Sequence, residues 1–160
     1  MAGFVIEVDD PEREDVRALL EEHLRFARSV TRPEDVYALD LAELVDLSIT
    51  LFSVRVDGEL LGVGALKELD DAGHVELKSM HTADAARRRG VGRAMVEHLL
   101  AVAADRGARR VSLETGAGEA FAPARSLYAS AGFVPCGAFG DYPASSNSVF
   151  MTRALTPRVS

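Results

Sequence analysis

Tryptophan is absent from this chain, and cysteine occurs once, at Cys136. A single thiol excludes an internal disulfide and any cysteine-based zinc cluster, so no metal is expected, and it suits a reducing compartment. Aromatic residues make up only 6% of the sequence, which leaves the core to aliphatic side chains. No apolar run approaches the roughly 20 residues that span a bilayer as a helix. The stretch from Met1 to Glu7 carries neither the basic nor the long apolar segment of a secretory leader, so the expectation is a soluble, cytoplasmic protein without a membrane partner. A net charge of −7 argues against a general nucleic-acid binder, which normally presents a basic surface. What remains is ordinary globular material. The 160 residues, 48% of them hydrophobic, suffice for one domain spanning 1–160 with a sizeable core.

Periodicity orders that material. Met1 to Val8 reads as a strand closed by Asp9-Asp10-Pro11. From Glu12, the spacing of Val16, Leu19, Leu20, Leu24 and Ala27 predicts a helix. A second helix is expected from Pro33 to about Val45. Leu51 to Val56 and Glu59 to Leu66 flank Asp57-Gly58, a strong hairpin signal. Within the second of these strands, Gly62 and Gly64 point to a bulge or a close backbone approach. His74 to Thr82 reads as a strand. A helix follows from about Gly90 to Arg106, with Val91, Met95, Leu99 and Val102 on one stripe and Gly107 ending it. Arg109 to Glu114 is a strand, Ala120 to Ala131 a helix, and Phe133 to Ala138 and Ser148 to Thr152 are the last two strands. Strands and helices mixed in this order imply an α/β or α+β domain on one central sheet.

Chemistry first shows in the turn Arg87-Arg88-Arg89-Gly90-Val91-Gly92. It lies between a strand and an amphipathic helix, so glycine amides, the helix dipole and the guanidinium groups of Arg87, Arg88, Arg89 and Arg93 converge on one point. That combination binds anions. The pattern is neither Gly-x-Gly-x-x-Gly nor a Walker loop, so those nucleotide classes lose support.

Arg87-x-x-Gly90-x-Gly92 resembles the Arg/Gln-x-x-Gly-x-Gly/Ala signature of the GNAT acetyltransferases. Ala124-Arg125-Ser126-Leu127-Tyr128, followed by Gly132-Phe133, resembles the family's Ala-x-x-Leu-Tyr…Gly-Phe stretch. Glu76-Leu77-Lys78-Ser79-Met80, Leu113-Glu114-Thr115-Gly116, Phe139-Gly140-Asp141-Tyr142 and Asn147-Ser148-Val149-Phe150-Met151 look like a bacterial subgroup of that family. The resemblance implies a central mixed, mostly antiparallel sheet of about seven strands flanked by about four helices, splayed between the strands 74–82 and 109–114. It implies acetyl-CoA as acyl donor, with pantetheine along Met80, His81 and Thr82, and pyrophosphate on Arg87, Arg88, Arg89, Gly90, Val91, Gly92 and Arg93. It also implies transfer to a primary amine, with Glu76 as base and Tyr128 as the acid that protonates the departing thiolate. Glu114, Asp141 and Tyr142 are expected near the acceptor.

Each role has a plainer counterpart. Glu76 can be a strand carboxylate facing Lys78, Tyr128 a packing aromatic, and Glu114 a salt-bridge partner. His81 and His74 suit strand surface, His23 and Arg25 either line the acceptor pocket or sit on helix surface, and Cys136 suits a small core position. The family's usual pantetheine asparagine is replaced here by Phe121, which puts the fixing of that arm in doubt. The expected activity is N-acetylation of a small or amino-acid-like amine. The alternatives are a protein or peptide acceptor, or a non-catalytic acyl-CoA-binding module. A homodimer is common in the family and compatible with this chain.

Overall fold

The computed structural model describes residues 3–33, 43–46 and 48–156. Seven strands, β1 (Val5–Val8), β2 (Ile49–Val56), β3 (Glu59–Glu68), β4 (His74–Thr82), β5 (Arg110–Gly116), β6 (Val134–Cys136) and β7 (Ser148–Ala154), form one sheet in the order β1-β2-β3-β4-β5-β7-β6. Every neighbouring pair is antiparallel except β4 and β5. Three α-helices, α1 (Glu14–Val30), α2 (Val91–Asp105) and α3 (Ala122–Ser130), accompany it among the described residues, against about four expected. The helix anticipated from Pro33 to Val45 lies mostly outside the described residues; its end, Glu43–Val45, is a 3-10 turn. The start of the helix anticipated at Ala120 is likewise a 3-10 turn, Glu119–Phe121. α3 begins after it, with Pro123 in the first turn, where its missing N–H costs nothing.

Residue type explains the layering. β2 alternates with a period of two: Leu51 packs with α1 through Val16, Leu19 and Leu20, whereas Phe52 and Val54 join the larger cluster with Met95, Val96 and Leu99 of α2. The hairpin turn between β2 and β3 has positive φ at both Asp57 (50°) and Gly58 (82°), as the strand twist requires of a two-residue loop. Cys136 is half-buried rather than a core residue, because β6 is an edge strand. No described helix is long and apolar enough to cross a membrane.

The expected irregularity in β3 is real and has a partner in β4. The β3–β4 register shifts between Val63 and Ala65, and Ser79, on the opposing strand, adopts φ of 55°. A Cβ on Gly64 would lie 2.8 Å from Met80 Sδ, so the glycine admits the side chain that the bulge turns inward.

α1 is anchored to the sheet by an ion cluster around the buried Arg55, with Asp9 buried beside it and Asp15 of α1 at the solvent side. Arg55, 6% exposed, donates to Asp15 Oδ2 at 2.6 Å and to Asp9 Oδ2 at 3.1 Å, and the Ser53 hydroxyl donates to the same Asp9 oxygen at 2.6 Å. Burial opposes ionisation of Asp9, but the Ser53 hydroxyl, the Asp10 amide and Arg55 outweigh it and hold the carboxyl below its usual range. Removing one partner of such a group leaves a charge stranded out of water. Arg55→Leu is therefore expected to cost about 3 kcal/mol in urea unfolding. By contrast, Arg17→Gln, which breaks only the exposed pair with Glu21, should cost less than about 0.5 kcal/mol. Equal costs would contradict this account of the cluster.

Candidate active site

β4 and β5 pair only through His74↔Arg110, Val75↔Val111 and Glu76↔Ser112. Past that point β4 stays bonded to β3 as far as Thr82, and β5 to β7 as far as Gly116. Their facing edges separate around a cavity of about 730 Å3. Main-chain groups along the parted edges need a partner that the sheet does not supply. The expected splay is thus present and begins at Glu76.

One end of the cavity is the basic turn. Arg88 (φ 66°) and Gly90 (φ 80°) both adopt left-handed backbone, which bends the chain sharply into α2. The first bond inside that helix is Ala94 N to Gly90 O, 3.0 Å, so the amides of Val91, Gly92 and Arg93 have no intrahelical acceptor. These amides and the helix dipole suit a phosphate group. Arg87, Arg88, Gly90, Val91, Gly92 and Arg93 all line the cavity, whereas Arg89 is exposed and outside the lining. Arg87 pairs with Asp84 at 3.0 Å, and Arg93 donates to Ser130 Oγ at 2.7 Å. Met80, His81 and Thr82 line the middle.

The sheet end holds the titratable groups. Glu76, 3% exposed, accepts from Lys78 Nζ at 3.1 Å and, through a short bond to the same oxygen, from the Tyr142 hydroxyl. Tyr142 itself does not line the cavity; it stacks with Phe139 and Phe150 and reaches Glu76 from behind. Asp141, placed with it near the acceptor from sequence, is exposed and away from the lining. Tyr128 lines the cavity from α3, packed edge-to-face on Phe133. Burial, with the Glu114 carboxylate adding to it, pushes its phenol up, so it remains a proton donor across the neutral range. Glu114 lines the cavity between them.

Of the two places open to His23 from sequence, pocket or helix surface, the structure takes the pocket. Phe26, which sequence reasoning did not single out, joins it, and Arg25 is outside the lining. His23 and Phe26 line the cavity rather than the helix surface, and His23 Nδ1 lies 3.2 Å from His81 Nδ1. The signal was present, since His23 and Phe26 fall one turn apart, but only the fold shows which face they share. The substituted Phe121 also has a place: its ring lies against Gly116, where a Cβ would come within 2.1 Å, and it meets Phe26 edge-on at 5.6 Å between centroids. Arg125 ties this corner by donating to the carbonyls of Gly116 and Gly118 at 2.7 and 2.8 Å.

Burial first, then the His81 imidazole and Lys78, lower His23 from its usual 6.5 to about 4. His81 is lowered too, because burial outweighs the hydrogen bond and charge of Glu22. A folded-state value below the unfolded one means that the unfolded chain takes up the proton first. Stability present above pH 6.5 is therefore lost as pH falls toward about 4. His23→Gln should remove on the order of 2 kcal/mol from this acid-side loss, read from unfolding curves across that window; an unchanged pH slope would contradict the burial of a neutral imidazole. At the other end, a Cβ on Gly92 would meet Leu127 Cδ2 at 3.0 Å. Gly92→Glu is expected to abolish acetyl-CoA binding in calorimetry by placing bulk and negative charge at the helix start, and retained affinity would show that anions bind elsewhere.

Comparison with known proteins gives this geometry its context. The profile of the Acetyltransferase (GNAT) family matches residues 14–133. The chain is 44% identical to the uncharacterized N-acetyltransferase YsnE of Bacillus subtilis, over 94% of this chain and 99% of that protein. It is 41% identical to the uncharacterized N-acetyltransferase YedL of Escherichia coli, over 95% of each. In fold it is similar to a Bacillus subtilis acetyltransferase solved in complex with CoA, with a TM-score of 0.71 at 17% identity, covering 96% of this chain and 99% of that one. The chain belongs to the GNAT acetyltransferase family and is an N-acetyltransferase.

Proposed function

We propose that this enzyme transfers the acetyl group of acetyl-CoA to a primary amine of a small molecule. The observation that carries the proposal is the parting of β4 and β5 beside the free amides of α2, which gives one continuous cavity from an anion site to Glu76 and Tyr128. The donor set fits acetyl-CoA: unpaired strand edge for the amide-bearing pantetheine arm, and amides with arginines for the pyrophosphate. Bound acetyl-CoA supplies a thioester carbon open to attack by a nitrogen lone pair. Met80, His81 and Thr82 line the cavity where the arm would lie, and a main-chain amide of this strand would polarise the thioester carbonyl. Glu76 takes a proton from the acylated nitrogen, its carboxylate held by Lys78 and Tyr142. Tyr128 gives a proton to the departing sulfur, and the carboxylates of Glu76 and Glu114 favour a cationic acceptor.

Phe26 and Phe121 meet edge-on in the wall at the α1 side of the cavity, an apolar corner suited to the body of a small amine. The test is a coupled thiol-release assay on a panel of phenethylamine, β,β-difluorophenethylamine, spermidine and a short peptide with a free N-terminus. Turnover of small amines above the peptide is expected, and preference for the peptide would overturn the acceptor class. Glu76→Gln and Tyr128→Phe are each expected to lower kcat roughly 100-fold while acetyl-CoA affinity stays within about threefold. Full turnover in both variants would remove these roles.

A further inference from the structure

Proton bookkeeping shows what the roles above leave undone. An amine that arrives as ammonium loses two protons on becoming an amide, and the departing sulfur takes up only one. Glu76 and Tyr128 account for that exchange, so one proton per turnover must leave a buried site for water. We propose that His23, His81 and Glu22 form the exit for this proton, with His23 the group that touches the acceptor. The proposal rests on the acetyl-transfer reading of the same site.

The geometry is a path from cavity to solvent. His23 and His81 both line the cavity, their Nδ1 atoms 3.2 Å apart and their rings edge-on at 5.1 Å between centroids. Beyond them, His81 Nε2 lies 3.5 Å from Glu22 Oε1. His81 is 7% exposed and Glu22 39%, so the last member meets water and the one before it does not. His81 Nε2 is buried and makes no hydrogen bond among the described residues, so the Glu22 carboxylate at 3.5 Å is the group placed to take its hydrogen. Two nitrogens in that arrangement share one hydrogen, and in the tautomer where His23 Nδ1 carries it, His23 Nε2 is the ring's remaining acceptor. The ammonium N–H bond breaks as a bond to His23 Nε2 forms; the hydrogen on His23 Nδ1 moves to His81 Nδ1; that on His81 Nε2 moves to the Glu22 carboxylate and on to water. One proton enters, one leaves, and no charge stays in the cavity. Both rings end in the other tautomer and must reorient to restore the first before the next turnover.

The surroundings keep the pair neutral and able to accept. Burial, the opposing imidazole and Lys78 act against a charge on His23; Arg87 acts against one on His81, while Glu22 and Asp84 favour it. The charge gradient thus falls from Lys78 toward Glu22, in the direction of exit. Low basicity makes the pair a conduit rather than a store.

The test compares phenethylamine with its β,β-difluoro derivative, whose nitrogen is far less basic, in His23→Gln and His81→Gln. Near neutral pH both variants should lose roughly 10–100-fold in kcat with phenethylamine. The loss should shrink to about twofold with the difluoro amine, and for phenethylamine as pH rises past the amine's own pKa. Because the two amines are compared within one variant, partial unfolding scales both rates alike and cannot mimic this result. Equal losses for both amines, or no loss, overturn the exit path while leaving acetyl transfer intact. A native enzyme that acetylates no amine in the panel overturns the acetyl-transfer reading itself.

Discussion

Past Glu76 and Ser112, two adjacent parallel strands stop bonding to each other while each keeps its outer neighbour. An interior sheet edge left open is costly unless something else satisfies it, and much of the remaining structure follows from that one separation. It creates the cavity and exposes the β4 backbone along it. The bulge at Ser79, with its left-handed backbone, lies on that same edge and lines the cavity. α2 then starts at the end of the gap, so its unpaired amides face the same space as the unpaired strand. Strand edge, helix terminus and arginines become one binding surface because the chain passes from β4 through the basic turn directly into α2.

The opposite wall depends on a different kind of interaction. α1 touches the site only through its last turns, and its first turn is fixed to β2 by the Arg55–Asp9–Asp15 cluster. Hydrophobic contacts of Val16, Leu19 and Leu20 then lay it across β3. Such buried ion pairs add little net stability over apolar packing, but they permit few alternative arrangements. His23 reaches His81 across 58 positions of sequence because that anchor sets where the helix lies.

Local chemistry made much of this legible in the sequence. The Asp57-Gly58 turn, the strand His74 to Thr82 and the Arg87–Gly92 turn are each specified by residues within a few positions, and they occur where those residues place them. Val91, Met95 and Leu99 face the core as their spacing requires, although Val102 is only partly covered. What could not be read were the meetings of distant segments. Tyr142 was expected against the acceptor, and it instead supports Glu76 from outside the cavity. His74, read as surface, is held between Asp71 and Ser112. The bulge at Ser79 carries no glycine or proline to announce it, since it is imposed by the β3 register and by Gly64 opposite. Phe121 looked like a missing cofactor contact, and its ring fills the space above Gly116.

Backbone amide hydrogen exchange, with and without CoA, tests the central claim most directly, because it reads the strand edge and helix terminus themselves. The account predicts strong added protection at residues 77–82 and 90–93 when CoA binds, with β1, β2 and the Asp57-Gly58 turn unchanged. Binding of CoA without added protection in those two segments would contradict it, and would mean that the parted strands are not where the cofactor lies.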